Sequence, residues 1–291
     1  VRNVKIARMD KALYVVHLLR KNPLTLSGFL FVLLLLVVAL LAPCIAPFPG
    51  HALGEVDPEH KFLSPRWEYP FGTDEAGRDI FSRVLYGSRI SLSVGVLAIG
   101  LALLIGVPLG AVAGFSGGVV DEVIMRATDV FLSFPPLLLA MAISAMLGPT
   151  LTNAMIAIAI AWWPWYTRLM RGQAVSIRER AFVEAARATG VSPLKIIRRH
   201  IMPNCIAPVV VQGSMDFGSI ILMSASLSFL GLGAQPPTPE WGLIVSTGRT
   251  FFLTSWWCVV FPGLAIFATV LAFNLVGDGL REIMDPRTRE F

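Results

Sequence analysis

Six apolar blocks dominate the chain: Ser27–Pro47, Ile90–Ala113, Val130–Leu147, Leu151–Thr167, Cys205–Leu230 and Trp256–Val276. Each is about as long as the roughly 20-residue helix that crosses ~30 Å of hydrocarbon. Inside lipid the backbone must satisfy its own hydrogen bonds, so blocks of this length predict spanning helices. The alternating pattern of a membrane barrel is absent. A mean hydropathy of +0.69 with 15% charged residues lies outside the range of ordinary soluble domains. The expected fold is an all-α integral membrane protein with six transmembrane helices.

Within the second block Gly106, Gly110 and Gly114 recur every four residues, a small-residue stripe that lets a neighbouring helix approach closely. Trp162, Trp163 and Trp165 suit a membrane interface at the end of the fourth block. Cys44, Cys205 and Cys258 are widely spaced in or beside apolar segments and read as packing residues.

Charge sets the expected orientation. Arg2, Lys5, Arg8, Lys11, Arg20 and Lys21 precede the first block, which is too long for a signal-peptide core and reads as an uncleaved anchor. The connection from Arg168 to Arg199 holds eight basic residues against Glu179 and Glu184. Six crossings place this loop and both chain ends on one side, where the positive-inside rule makes it cytoplasmic. Residues 48–89 then lie outside. The net charge of +5 follows from these loops, and no recognition helix or aromatic-basic platform points to nucleic acid. The chain thus divides into 1–89 (tail, first span, outer loop), a five-helix core 90–277 with a cytoplasmic loop 168–204, and a cytoplasmic tail 278–291.

That loop has a shape of its own. Arg178–Ala188 predicts a helix with Ala181, Ala185 and Ala188 as a small-residue face. Gly190 suits a left-handed C-terminal cap. Ser192 can cap a second helix with Pro193 in its first turn and Leu194, Ile197 and Ile201 on one face. Pro203 is expected to end that element and open the fifth span. A rigid bent protrusion fits a groove in a soluble partner, and a basic loop lying on anionic headgroups is the alternative the residues leave open. His200 has no second ligand nearby and reads as a structural or interface histidine.

In the outer segment Thr73 or Asp74 is expected to cap a short helix along the membrane face, with Ile80, Phe81, Val84 and Leu85 as its apolar stripe. Asp74, Arg78 and Asp79 read as a local ion-pair cluster. Asp216, about 13 residues past Pro203, falls near mid-membrane, where a carboxylate costs about 2.5–3.5 kcal/mol. It reads either as a pathway residue that meets a cationic group or as a buried acid hydrogen-bonded to Gln212. No G-x-x-x-x-G-K-[ST] occurs, nor a Ser/His/Asp set, metal-ligand spacing or dinucleotide fingerprint.

Glu184-Ala185-Ala186, with Gly190 and Pro203 at their spacings, resemble the EAA loop of permeases from binding-protein-dependent ABC importers. His200 and Met202 stand where the general pattern has Ile and Leu. Phe71-Gly72-Thr73-Asp74 with Gly77-Arg78-Asp79, the run Ser226–Gly233, and Gly277–Arg281 with Asp285-Pro286 resemble the C-type permease subunit of dipeptide/oligopeptide/nickel importers. The run Pro236–Gly242 resembles the outer loop of the dipeptide branch. The resemblance implies a type I ABC importer permease fold in a bacterial inner membrane. It implies that Glu184, Ala185, Ala186, Gly190, Ser192, Pro193 and Pro203 belong to an ATPase-docking coupling loop, and that the fifth span, with Asp216 and Gln212, lines half of a pathway for short peptides. The implied partners are a homologous second permease, two ATP-binding subunits that hold ATP and Mg, and an external binding protein. This chain itself would carry no catalytic site, cofactor or metal. Nickel and glutathione are alternative cargoes. An ion-coupled secondary transporter is the rival of another class, and would call for paired halves with broken helices.

Overall fold

Three glycines on one helix fix how closely the centre of the bundle packs. The computed structural model describes residues 22–284, so Arg2 to Lys21 and Asp285-Pro286 lie outside the described residues. The helices are α1 (Pro23–Ile45), α2 (Pro49–Leu53), α3 (Ile80–Ser116), α4 (Gly118–Leu132), α5 (Pro136–Leu147) and α6 (Leu151–Arg178). After them come α7 (Ala181–Ala188), α8 (Pro193–Ile196), a π turn (Ile197–Ile201), α9 (Met202–Phe229), α10 (Trp241–Gly248) and α11 (Trp257–Met284). Among the described residues the only β-type pairing is an isolated Thr73–Asp79 bridge.

A Cβ added at Gly106 or Gly114 would fall 2.6 Å from the carbonyl oxygen of Trp163 or Arg171, and one at Gly110 would meet that of Thr167. The stripe therefore seats α3 directly on the backbone of α6. Facing positions rise together along both helices, so α3 and α6 run parallel. The chain between them must return, and α4 and α5 make that return with an 87° bend. The expected third span, Val130–Leu147, is thus broken at Ser133-Phe134-Pro135. Proline cannot donate the helical bond and disfavours helix in the residue before it.

The charged residues expected in a loop before that span sit on α4. There Asp121 takes two hydrogen bonds from Arg171, at 3.0 and 2.6 Å, and Asp129 takes one from Arg168 at 2.5 Å. These pairs carry α6 past the expected end at Thr167 as far as Arg178, so Arg168, Arg171 and Arg178 are helical and the basic loop is shorter than expected. Among the described residues four runs are long and apolar enough to cross a membrane: α1, α3, Pro193–Phe229 and α11. The bent α4–α5 pair makes a fifth if counted as one span. The remaining expected span, α6, has 28 residues, but its aromatic and basic half keeps it out of the apolar set. Residues 278–284, expected in the C-terminal tail, belong to α11.

The core between the helices is rich in small residues, with Ala98, Ala154, Ala157 and Ile158 fully buried beside Ile220 and Leu227. Phe217 of α9 stacks on Phe273 of α11 with centroids 3.9 Å apart. Helix α1 packs antiparallel on α11, Gly28 against Leu275 and Thr25 against Gly279, and its most apolar window is only 17% buried.

The outer segment corrects another expectation. No separate amphipathic helix precedes α3. Asp79, rather than Thr73 or Asp74, caps one 37-residue helix by accepting from the Ser82 N–H at 2.8 Å, and Ile80 to Leu85 form its first turns. Asp74 is the hub of the ion cluster. It accepts from Arg78 Nε at 2.8 Å and pairs with Arg83, all three nearly fully buried. Asp79 stands apart from those pairs, and burial pushes its carboxyl above the usual range. The Thr73 carbonyl receives the Trp257 indole at 3.1 Å, and the Val84 carbonyl receives the Trp241 indole at 2.9 Å. The outer segment is thereby fastened to α10 and α11.

Gly100 tests the seam from within the same helix, because a Cβ there meets no other atom within 4 Å. Gly110→Leu should lower the thermal stability of the detergent-solubilised protein by about 1–3 kcal/mol or prevent folding, as overpacking does. Gly100→Leu should leave it near the parent. Equal melting by fluorescence-detected size exclusion would refute the seam.

Candidate functional site

Beyond Arg178 the chain turns twice and then re-enters the bundle. Helix α7 buries Val183 and Ala186 in a cluster with Val107, Met170, Ile196, Ile201 and Cys205, which locks its inner side to α3, α6 and α9. Glu184, Ala185 and the expected small face of Ala181, Ala185 and Ala188 point outward, together with Phe182. Arg187 lies over the Phe115 ring at 4.6 Å, and Arg178 donates to the Gly114 carbonyl at 3.1 Å, so both tie this elbow to the end of α3.

Gly190 makes the bend. Its φ is +77°, the left-handed region that glycine alone enters without strain. The Val191 N–H reaches the Ala186 carbonyl at 3.1 Å and the Gly190 N–H reaches that of Arg187 at 3.0 Å, the paired closure of a Schellman cap. No neighbour lies within 4 Å of a Cβ built there, so the requirement for glycine is set by the backbone alone.

The second arm departs from expectation in three ways. Ser192 occupies the cap position before Pro193, but its side chain makes no cap hydrogen bond. Leu194 is 65% exposed, and the buried set is Ile196, Ile197 and Ile201. Pro203 ends nothing, because Pro193–Phe229 is one helical run. The π turn explains this. The Met202 N–H reaches back to the Ile197 carbonyl, one residue further than in an α-helix, and widens the coil just before the proline ring. The His200 ring faces Phe182 at 6.2 Å, and no group of three His, Cys, Asp or Glu able to hold a metal occurs among the described residues.

The second feature is a cavity of ≈ 500 Å³ between α6 and α9, lined by Pro136, Trp162, Trp165, Arg168, Leu169, Gln212 and Asp216. Gln212 donates its amide to Asp216 at 3.0 Å, and Tyr166 and Trp162 flank the same carboxylate. A neighbouring cavity of ≈ 430 Å³ shares Leu169 and Gln212 and extends to Met215 and Arg281. Asp216 and Gln212 are thus brought together as expected. Sequence reasoning missed Trp162, Trp165 and Arg168, having placed the tryptophans at an interface and the arginine in a loop. The signal was present, since Trp162, Trp165 and Leu169 follow helical spacing on α6, as Pro208, Gln212 and Asp216 do on α9.

Residues 106–290 match the family described as binding-protein-dependent transport system inner membrane component. Residues 14–65 match the N-terminal transmembrane domain of oligopeptide transport permease C. The chain is 45% identical over 271 residues to the dipeptide transport system permease protein DppC of Alkalihalophilus pseudofirmus, covering 93% of this chain and 88% of that one. It is 45% identical over 287 residues to the probable D,D-dipeptide transport system permease protein DdpC of Escherichia coli, covering 99% and 95%. It is also 45% identical over 270 residues to the glutathione transport system permease protein GsiD of Escherichia coli, covering 93% and 88%. Among solved structures it is similar to a chain of the MetNI methionine ABC transporter in an inward-facing conformation, with TM-score 0.57 and 17% identity, over 70% of this chain and 97% of that one. At that identity the likeness is one of fold.

Gly190→Val should impose a left-handed cost of about 1–2 kcal/mol and loosen the elbow. Faster amide exchange across residues 181–191 is expected, with Gly190→Asn close to the parent. Unchanged exchange in Gly190→Val would show that the bend does not hold the elbow.

Proposed function

We propose, because the chain belongs to the family of binding-protein-dependent transport system inner membrane components, that it forms half of the pathway of an ATP-driven importer of short peptides. The observation that carries this reading is the elbow. Its inner side is locked into the core, while Glu184, Ala185, Phe182 and Leu194 are presented outward around a fixed bend. Glu184, Ala185, Ala186, Gly190, Ser192, Pro193 and Pro203 thus make up the element that docks on an ATP-binding subunit, with Ala186 supporting it from inside.

The chain is non-catalytic in this reading. Two ATP-binding subunits hold ATP and Mg, a homologous permease completes the pore, and an external binding protein delivers cargo. Asp216 and Gln212 line the pathway. The names of the relatives favour peptide cargo, with glutathione, itself a peptide, as the nearest alternative. The membrane is a bacterial inner membrane with both chain ends in the cytoplasm, in keeping with the excess of basic residues there.

Reconstitution with the partner subunits tests the coupling role. Loaded binding protein should stimulate ATP hydrolysis and uptake in the parent. Gly190→Val should lose most of both while the complex still assembles. Undiminished stimulation and transport in that variant would overturn the docking role.

Topology is tested separately in a functional cysteine-free background. Cysteines at positions 60 and 235 should react with impermeant thiol reagents in sealed right-side-out vesicles, and those at 180 and 287 should not. Labelling at 180 would overturn the orientation.

A further inference from the structure

We propose that the cavity between α6 and α9 reads both charged ends of a zwitterionic di- or tripeptide, with Arg168 as the pole that holds the carboxylate opposite Asp216. The site presupposes the permease role above and adds a specificity determinant to it. One carboxylate, one guanidinium and two tryptophans line a single space of ≈ 500 Å³, within the usual range for small-ligand pockets. Trp162 flanks Asp216, and Arg168 lies six residues further along α6, an axial rise of about 9 Å. Two extended residues span at most about 7 Å and three about 10 Å. A peptide of that length therefore bridges the two poles, and longer chains overshoot them.

The state of each pole fits this use. Arg168 gives Asp129 one terminal nitrogen at 2.5 Å, and its side chain is half exposed. Its hydrogen bonds among the described residues engage only that nitrogen. The remaining N–H donors suit a carboxylate, and Asp129 holds the side chain in place. Arg171, one turn on, differs in that Asp121 grips it at both Nε and Nη2. Asp216 accepts from Gln212 at one oxygen, Oδ1. Trp162 and Trp165 supply aromatic surface in the same lining, the kind that attracts an ammonium.

The test omits the binding protein, whose own selectivity would mask that of the permease. Alanyl-alanine, its N-acetyl form and its C-amide are titrated against the nucleotide-free complex of permeases and ATP-binding subunits by calorimetry. The parent should bind the free dipeptide about tenfold more tightly than either blocked form. Arg168→Gln should bind the free and C-amide forms alike while still rejecting the N-acetyl form. Asp216→Asn should do the reverse. Arg168→Lys, which keeps the charge and a partner for Asp129, should retain the preference for a free carboxylate. Asp121→Asn, which breaks the neighbouring helix-to-helix pair with Arg171 without touching the cavity, should retain it too.

No saturable binding by the parent would overturn the proposal. So would variants that weaken all three ligands equally, or loss of carboxylate preference in Asp121→Asn. If Arg168→Gln fails to assemble, the lysine and Asp121 variants decide the matter. A complex that imports peptides on ATP yet ignores their ends would keep the permease role and lose this site.

Discussion

In hydrocarbon no hydrophobic force draws one helix to another, so association depends on packing and on polar contacts. The contact of Gly106, Gly110 and Gly114 with the carbonyls of Trp163, Thr167 and Arg171 is where α3 and α6 come closest, and much else follows from it. It makes the two helices parallel, which obliges α4 and α5 to fold back between them. It sets Arg168 and Arg171 beside Asp129 and Asp121. It also brings Phe115 and Gly114 to the point where Arg187 and Arg178 anchor the elbow.

The elbow and the cavity are joined by one continuous object. Pro193 and Asp216 belong to the same helical run, about 35 Å apart along its axis. Any movement of the elbow would therefore reach the cavity wall along this run, whose π turn lies at Ile197–Ile201. Leu169 and Gln212 line both cavities.

Much of this was legible in the residues. The glycine stripe foretold a close contact, and the placing of Gly190 foretold a left-handed bend, because both depend on local backbone sterics. The family, and the pairing of Gln212 with Asp216, were legible too. What was not legible depended on partners distant in sequence. Nothing local shows that Arg168 and Arg171 continue a helix, since Asp129 and Asp121 across the bundle stabilise it. Pro203 was read as a stop because proline breaks an α-ladder, and the residues do not announce a π turn that absorbs it. Thr73 and Asp74 looked like caps, but His60, Leu63, Arg78 and Arg83 engage their side chains, which leaves the cap to Asp79.

Helix α1 lies on the outside of α11, with most of its most apolar window unburied. A helix seated so superficially touches the core along one narrow seam, where Gly28 meets Leu275 and Thr25 meets Gly279. Two separate family matches meet this chain, one over residues 14–65 and another over residues 106–290. The fold shared with the methionine transporter uses 97% of that chain but 70% of this one. The first span is thus a flank of the bundle that faces lipid over most of its surface, whereas the outer loop after it is bound down on α10 and α11.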